Sequence, residues 1–266
     1  MEKLIFLGTG NGITLDLYNT CFVIQKNNQN FLIDTGGSVE ILRRLKNVNI
    51  ELNDIKNIFI SHNHTDHILG LIWMFKKMGV NAIAGKIQEK INIYCNDVVY
   101  ESIVEIAKRI LPKKIANGVF EVVDFHVLND GENLTINGIN YKFFDINAKG
   151  TKQFGFECII NNKRIEFLGD ETINPKLYEK VRNADFVMHE AFCLDSEAHI
   201  FHPYEKNHST VKTASEIMNE LNVKNLILYH TEETHGEKRK ELYLKEAEKY
   251  FNGKTYVPND LENIQL

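Results

Sequence analysis

Short apolar runs that stop at glycine or polar residues occur along the first half of the chain and predict buried β-strands. Longer stretches with apolar positions at helical spacing lie between them and predict helices, the last of which should end before Pro112. This alternation is typical of α/β proteins. The strands are predicted at 4–7, 20–24, 30–33, 58–60 and 91–95, and the helices at 39–45, 66–78 and 97–110.

The second half continues the alternation after two β-rich segments at 120–128 and 134–146. Asn137-Gly138 inside the latter predicts a hairpin turn. No low-complexity segment or linker interrupts the chain, so we expect one domain over residues 1–266, an α/β fold with two β-sheets covered by helices. The remaining predicted strands lie at 155–160, 164–168, 185–189 and 226–230, and the helices near 175–182 and at 210–221 and 237–251.

Composition excludes several classes of protein. The 266 residues are 43% hydrophobic and carry a formal net charge of −5, so no overall basic character points to nucleic-acid binding. The apolar run at 4–7 is too short for a signal peptide, and no run approaches membrane-spanning length. The four cysteines lack CxxC spacing, which is typical of buried thiols in a reducing compartment. We therefore expect a cytoplasmic protein without membrane contact.

The segment Ser61-His62-Asn63-His64-Thr65-Asp66-His67 contains the clearest candidate chemistry. It lies directly after one predicted strand and before a predicted helix, so a tight turn can aim its side chains at one point. Imidazole nitrogens and carboxylate oxygens suit zinc, iron or manganese. The pattern predicts a metal site at this strand end.

Further acids and histidines occupy the ends of other predicted strands, where α/β proteins gather their functional sites. Asp34 follows the strand at 30–33 and is a candidate to orient a metal-binding histidine, or only to begin a turn. Taken singly, each of the others is more often a turn residue than a ligand. They are Asp170, Glu190, His208 and His230.

The ordered set of motifs resembles the metallo-β-lactamase superfamily, and within it the ribonuclease Z branch. The resemblance rests on the turn at 61–67, Gly169-Asp170, His189-Glu190-Ala191, His208-Ser209-Thr210 and Leu228-Tyr229-His230, with Phe6-Leu7-Gly8-Thr9-Gly10 at the start. It implies an αββα sandwich. It also implies a dinuclear hydrolase with phosphodiesterase chemistry.

The resemblance assigns roles residue by residue. His62 and His64 would bind one divalent ion, and Asp66, His67 and His230 the second, with Asp170 bridging both. Zinc is the metal we expect, with iron or manganese as alternatives. A hydroxide that bridges the ions would attack phosphorus, with Asp66 among the catalytic residues. Glu190 and His208 would donate a proton to the leaving oxygen, and the amino end of the helix at Thr210 would help to hold the phosphate.

The chain departs from the branch in two places. Asn147 occupies the position of an expected histidine ligand, so we expect a weakened first metal site, unless Asp145 compensates. The segment between Asn147 and Gly169 is too short for the long arm with which ribonuclease Z grips transfer RNA, which favours a small-molecule or short nucleic-acid phosphodiester. The alternatives are a lactonase, thioesterase or β-lactamase of this fold, or a metal-binding sensor without catalysis. Family resemblance is compatible with a homodimer.

Overall fold

Two seven-stranded β-sheets pack face to face, and helices cover the outer face of each. The computed structural model describes residues 2–266, and Met1 lies outside the described residues. The expected arrangement of two sheets covered by helices is confirmed. The strands are β1 (Lys3–Gly8), β2 (Cys21–Lys26), β3 (Gln29–Ile33), β4 (Ile55–Ile60), β5 (Ile91–Cys95), β6 (Val123–Val127), β7 (Asn133–Ile136), β8 (Ile139–Asp145), β9 (Phe154–Ile160), β10 (Lys163–Phe167), β11 (Phe186–Glu190), β12 (Asn225–Tyr229), β13 (Lys254–Tyr256) and β14 (Asn263–Gln265).

The two sheets share one topology. The first has the order β14-β1-β2-β3-β4-β5-β6 and the second the order β13-β12-β11-β10-β9-β8-β7. In the first sheet β3 to β6 run parallel, and in the second β10 to β13 do so. Because parallel strands end at the same edge, the residues that follow β3, β4, β10, β11 and β12 are brought together.

Aromatic side chains fill the space between the sheets. Phe31 contacts Tyr141 with ring centroids 5.0 Å apart, and Phe59 contacts Phe143 at 5.1 Å. Such large buried rings supply much of the hydrophobic stabilisation and lock the two sheets together. The edge at which the parallel strands end is therefore supported by a rigid core.

The helices divide into two groups. Those of the first half cover the first sheet, and those of the second half cover the second. In residues 2–266, no helix combines the length and apolar character that crossing a membrane requires. The α-helices are α1 (Glu40–Asn47), α2 (Thr65–Ile83), α3 (Asp97–Ile110), α4 (Lys113–Val122), α5 (Tyr178–Val181), α6 (Ala198–Phe201), α7 (Val211–Glu220) and α8 (Arg239–Ala247).

Helix α4 corrects the sequence prediction of a β-rich segment at 120–128. Pro112 ends α3 as predicted but also begins the next helix as its N-cap. A Cβ added at Gly79 of α2 would lie 2.4 Å from the Ile115 carbonyl oxygen, so α4 packs closely against α2. Only β6 remains of the predicted strand.

Two other helical segments and two short strands also differ from the predictions. The helix near 175–182 is a 3₁₀ turn followed by the short α5, and the helix predicted at 237–251 is α-helical only in α8. Strands β13 and β14 were not predicted, because each spans only a few residues and depends on pairing with β12 and β1. None of these differences affects the residues of the candidate site.

Candidate metal centre

The turn between β4 and α2 carries most of the candidate ligands. His62 is fully buried two residues after the end of β4, and His64 is the N-cap of α2 with an extended backbone. Asp66 and His67 lie in the first helical turn, which is closed by the His67 amide donating to the His64 carbonyl at 3.0 Å. The change from extended to helical backbone aims side chains of different sequence parity at one point.

Asp170 connects two groups of candidate ligand atoms. Its Oδ2 lies 3.2 Å from His62 Nε2, 3.4 Å from His67 Nε2 and 3.7 Å from His230 Nε2. One group consists of His62, His64 and Asp170, and the other of Asp66, His67, Asp170 and His230. Within each group all ligand atoms lie within 4.8 Å of one another.

These two groups fit divalent cations. His67 Nε2 and Asp170 Oδ1 are buried and make no hydrogen bond within residues 2–266. Buried polar atoms are normally satisfied, so convergent lone pairs without a donor indicate a place for a cation. The nitrogen and oxygen donors are those that zinc, iron and manganese accept.

Two of these side chains, Asp170 and His230, are held in the protonation states that bind metal. Burial disfavours a charge on Asp170, but His62 and His67 hold the pKa of its carboxyl well below the usual range. Burial lowers the pKa of His230 to about 3, so its imidazole is neutral. An ionised carboxylate and a neutral imidazole are the ligand forms. Burial would lower the pKa of His67, but the carboxylates of Asp66 and Asp34 raise it well above its ordinary value, so a cation has to displace a proton there.

Asp34 orients one of the histidines. The carboxylate of Asp34 accepts hydrogen bonds from His67 Nδ1 at 2.8 Å, the Ser61 amide at 2.8 Å and the Ser61 hydroxyl at 2.7 Å. Because a carboxylate only accepts, Nδ1 of His67 carries a proton, and Nε2 is the nitrogen that faces the cluster. Asp34 therefore makes the contact expected of a residue that supports a ligand, as well as following β3.

Glu190 and His208 lie beside the metal ligands. Glu190 Oε1 accepts a hydrogen bond from the Ser209 amide, and Oε2 lies 3.6 Å from His208 Nδ1. The His208 ring centroid is 5.4 Å from that of His230. Burial alone would lower the pKa of His208, but the Glu190 carboxylate raises it above its ordinary value.

A cleft of about 200 Å³ opens onto the cluster. Sequence reasoning identified its histidines and aspartates but missed Ile13, Phe192 and Lys206, because each lies in a segment without periodicity or motif. It also missed the fully buried Gln153, whose carboxamide oxygen accepts a hydrogen bond from the Asp170 amide at 3.3 Å. The cleft is lined by Asn11, Gly12, Ile13, His64, Asp66, Asp170, Phe192, Lys206, His208 and His230.

Asn147 does not line this cleft in the described part of the chain. It is exposed, its backbone has a positive φ of 56°, and its amide nitrogen donates to the Asp145 carbonyl at 3.1 Å. The Asp145 carboxylate in turn accepts from the Asn147 amide at 2.8 Å. Neither residue is directed at the cluster by these contacts.

The helix at Thr210 does not offer its first-turn donors to a ligand. The Thr210 and Thr213 side chains cap each other's amides, and the Val211 amide donates to the Cys193 carbonyl at 2.9 Å. The expectation that this helix end holds phosphate is therefore wrong. Four further histidines, His126, His199, His202 and His235, do not line the cleft within residues 2–266.

Comparison with known proteins identifies the relatives of this chain. The family model described as Anti-Pycsar protein Apyc1 matches residues 2–248. A protein named Ribonuclease Z from Archaeoglobus fulgidus is 23% identical over 314 residues, covering 99% of this chain and 97% of the relative. The resemblance to the ribonuclease Z branch is thereby confirmed.

Solved structures confirm the fold. The metallo-beta-lactamase fold protein YhfI from Bacillus subtilis superposes with a TM-score of 0.79 at 17% identity, covering 99% of this chain and 98% of that one. A diphosphatase from the PhnP family gives 0.75 at 18% identity, covering 100% and 98%. The αββα sandwich is therefore that of the metallo-β-lactamases.

Proposed function

This chain belongs to the family described as Anti-Pycsar protein Apyc1, and we propose that it hydrolyses small phosphodiesters with the help of two divalent cations. It is a metal-dependent hydrolase of the metallo-β-lactamase fold. The observation that carries the finer assignment is the pair of buried Glu190 and partly buried His208 beside the candidate ligands.

The candidate ligands would hold the two cations at unequal strength. His62, His64 and Asp170 would hold the first, and Asp66, His67, Asp170 and His230 the second. When bound, two such cations acidify a water molecule and neutralise the charge that develops on phosphoryl oxygens. We propose zinc for both sites, with iron or manganese as alternatives. The first group offers one candidate ligand fewer than the second. This is consistent with asparagine, and not histidine, at position 147.

Glu190 and His208 would deliver a proton to the leaving oxygen. The Ser209 amide fixes the Glu190 carboxylate, and that carboxylate favours the imidazolium form of His208. His208 Nδ1 and Glu190 Oε2 lie 3.6 Å apart, and neither makes a hydrogen bond within residues 2–266. Nδ1 is thus directed at the carboxylate, which leaves Nε2 as the nitrogen to protonate an alkoxide that departs from phosphorus.

The dimensions of the site favour a small substrate. Residues 146–153 connect β8 to β9 directly, and both strands lie within the second sheet. The match to the Archaeoglobus fulgidus protein extends over 314 residues, more than the length of this chain, so that relative has insertions. With a net charge of −5 and a cleft of about 200 Å³, we propose a nucleotide-sized phosphodiester as the substrate, and not a folded RNA.

The remaining assignments concern the whole protein. Ligands come from both halves of the chain, which supports one hydrolase domain over residues 1–266. The four cysteine thiols are buried, which supports a cytoplasmic location. We propose a homodimer on family resemblance alone, and sedimentation of the purified protein at several concentrations would test it.

Hydrolysis of bis(p-nitrophenyl) phosphate by the metal-loaded protein tests the proposal. We expect turnover that a chelator abolishes and that exceeds turnover of p-nitrophenyl acetate and of a lactone. On a phosphodiester with an alkoxide leaving group, His208→Ala should remove most of the rate, whereas the matched control His202→Ala, at an exposed histidine outside the cleft, should retain it.

Two results would contradict this proposal. A preference for the ester or lactone would replace it with carboxyl hydrolysis. A protein that hydrolyses none of the three substrates, even after Asn147→His introduces the expected ligand, would favour a metal-binding sensor.

A further inference from the structure

The segment of residues 11–17, which we name the wall loop, exposes two large apolar side chains at the edge of the site. Ile13 is 78% exposed and Leu15 is 92% exposed. Ile13 lines the cleft beside the candidate ligands, and Leu15 does not. Exposed apolar residues grouped at a binding cleft indicate contact with a partner molecule.

The wall loop is held in one conformation although it contains no helix or strand. Both carboxylate oxygens of Glu233 accept hydrogen bonds from its backbone, at 2.7 Å from the Leu15 and Asp16 amides and 2.9 Å from the Leu17 amide. Asn11 accepts from the Ile13 amide at 3.0 Å. Charge-assisted hydrogen bonds of this kind are stronger than neutral ones, so the loop is fixed before a ligand binds.

The base of the wall loop is anchored in the same way. The Asn11 carboxamide donates to the buried carboxylate of Glu232 at 2.7 Å, and the Tyr18 amide donates to Asp260 at 2.7 Å. These contacts join both ends of the loop to segments that follow β12 and precede β14. The loop therefore cannot shift without breaking several hydrogen bonds.

The wall loop also approaches one of the candidate metal ligands. A Cβ added at Gly12 would lie 3.3 Å from the carboxylate carbon of Asp66. Ile13 is the next residue, so its side chain lies beside the place where the phosphate would bind. The other large apolar lining residue is Phe192, whose ring stacks on that of His208 with centroids 4.8 Å apart.

We propose that Ile13 is a specificity-determining residue that packs against an apolar or aromatic group carried by the substrate next to its phosphorus. Glu233 is the positioning residue that holds the wall loop and Ile13 in place. The inference rests on the proposed function, since it takes the phosphate to bind at the candidate metal ligands. Beyond the proposed function, the inference identifies the part of the substrate that the enzyme recognises and the side chain that recognises it.

Binding of two phosphate monoesters to the metal-loaded protein tests the inference without catalysis. Phenyl phosphate carries an apolar ring and methyl phosphate does not, while their phosphate groups are the same. By calorimetry we expect the wild type to bind phenyl phosphate about fivefold more tightly, the gain from burying part of one ring. Ile13→Ser should abolish this preference and leave the affinity for methyl phosphate unchanged.

Leu15→Ser is the matched control, because it removes an even more exposed apolar side chain of the same loop that does not line the cleft. It should retain the preference. Glu233→Ala should lose the preference and also speed hydrogen exchange at the amides of Leu15, Asp16 and Leu17, which a purely global destabilisation would not confine to this loop.

The outcomes separate the inference from the function on which it rests. A wild type that binds methyl phosphate but shows no preference for the phenyl ester would overturn the inference alone, as would an Ile13→Ser variant that weakens both ligands equally. A metal-loaded wild type that binds neither ester would contradict the proposed phosphodiesterase site itself.

Discussion

Replacing Asp34 with asparagine should weaken metal binding without disturbing the fold. The buried Asp34 carboxylate accepts three hydrogen bonds, and the one from His67 Nδ1 at 2.8 Å fixes which ring nitrogen faces the cluster. Asparagine has the same shape and tolerates the positive φ of 54° at this position. Its amide group can offer a donor to His67 Nδ1, which would place the ring proton on Nε2, where the metal should bind.

The magnitude follows from the loss of this support. Removing the partner of a metal-binding histidine lowers metal affinity by roughly 10- to 100-fold, or about 1.4 to 2.7 kcal/mol. The affinity should decrease for the cation held by the group that contains His67. The other group, with His62 and His64, does not contact Asp34 directly and should change much less.

Competition with a chromogenic zinc chelator measures both affinities. Asp97→Asn is the control, because Asp97 is an exposed aspartate whose partner is Lys152 and which lies outside the candidate groups. We expect Asp34→Asn to lower the zinc affinity of the tighter site, and we expect the control variant to keep both wild-type affinities. Unchanged zinc affinity in a folded Asp34→Asn variant would refute either the role of His67 as a ligand or the role of Asp34 in orienting it.

Three further predictions test other parts of the site and the fold. Glu190→Gln should slow hydrolysis of a phosphodiester with an alkoxide leaving group by about 100-fold but affect a p-nitrophenyl ester far less, because that leaving group needs no proton; equal losses would exclude proton donation by His208. Zinc titration should resolve two sites of unequal affinity, and Asn147→His should reduce the difference between the two affinities. Two equally tight ions in the wild type would contradict the weakened first site. Burial, followed by the charge of Glu157, raises the pKa of Glu166, so the folded state favours the protonated form of this carboxyl. The stabilisation that this preference gives the folded protein is complete below the ordinary carboxyl pKa, and it is lost as the pH rises through the raised pKa. Urea unfolding should therefore find Glu166→Gln more stable than the wild type at pH 9 but not at pH 4, and a difference independent of pH would contradict the reasoning.

The sequence predicted those parts of the fold that local signals encode. The Asn137-Gly138 turn joins β7 to β8 with both residues at positive φ, as asparagine and glycine permit. The candidate ligands were found because each follows an apolar run, and parallel strands bring such positions to one edge. Both signals depend only on neighbouring residues and sheet geometry.

The parts that were missed depend on tertiary contacts. Helix α4 is stabilised by its close packing against α2, which a sequence window across Pro112 does not contain. Strand β14 forms only because β1 offers it an edge. Ile13 gives no sequence signal, since its position in the cleft is set by Glu233, which is more than 200 residues away.

The most direct test of the central claim is the rate of bis(p-nitrophenyl) phosphate hydrolysis as zinc is titrated into the metal-free protein. Two cations acting together predict little turnover up to one equivalent and a steep rise between the first and the second. A rate that reaches its maximum at one equivalent would contradict the two-metal site, and the absence of phosphodiester turnover at two would contradict the proposed function.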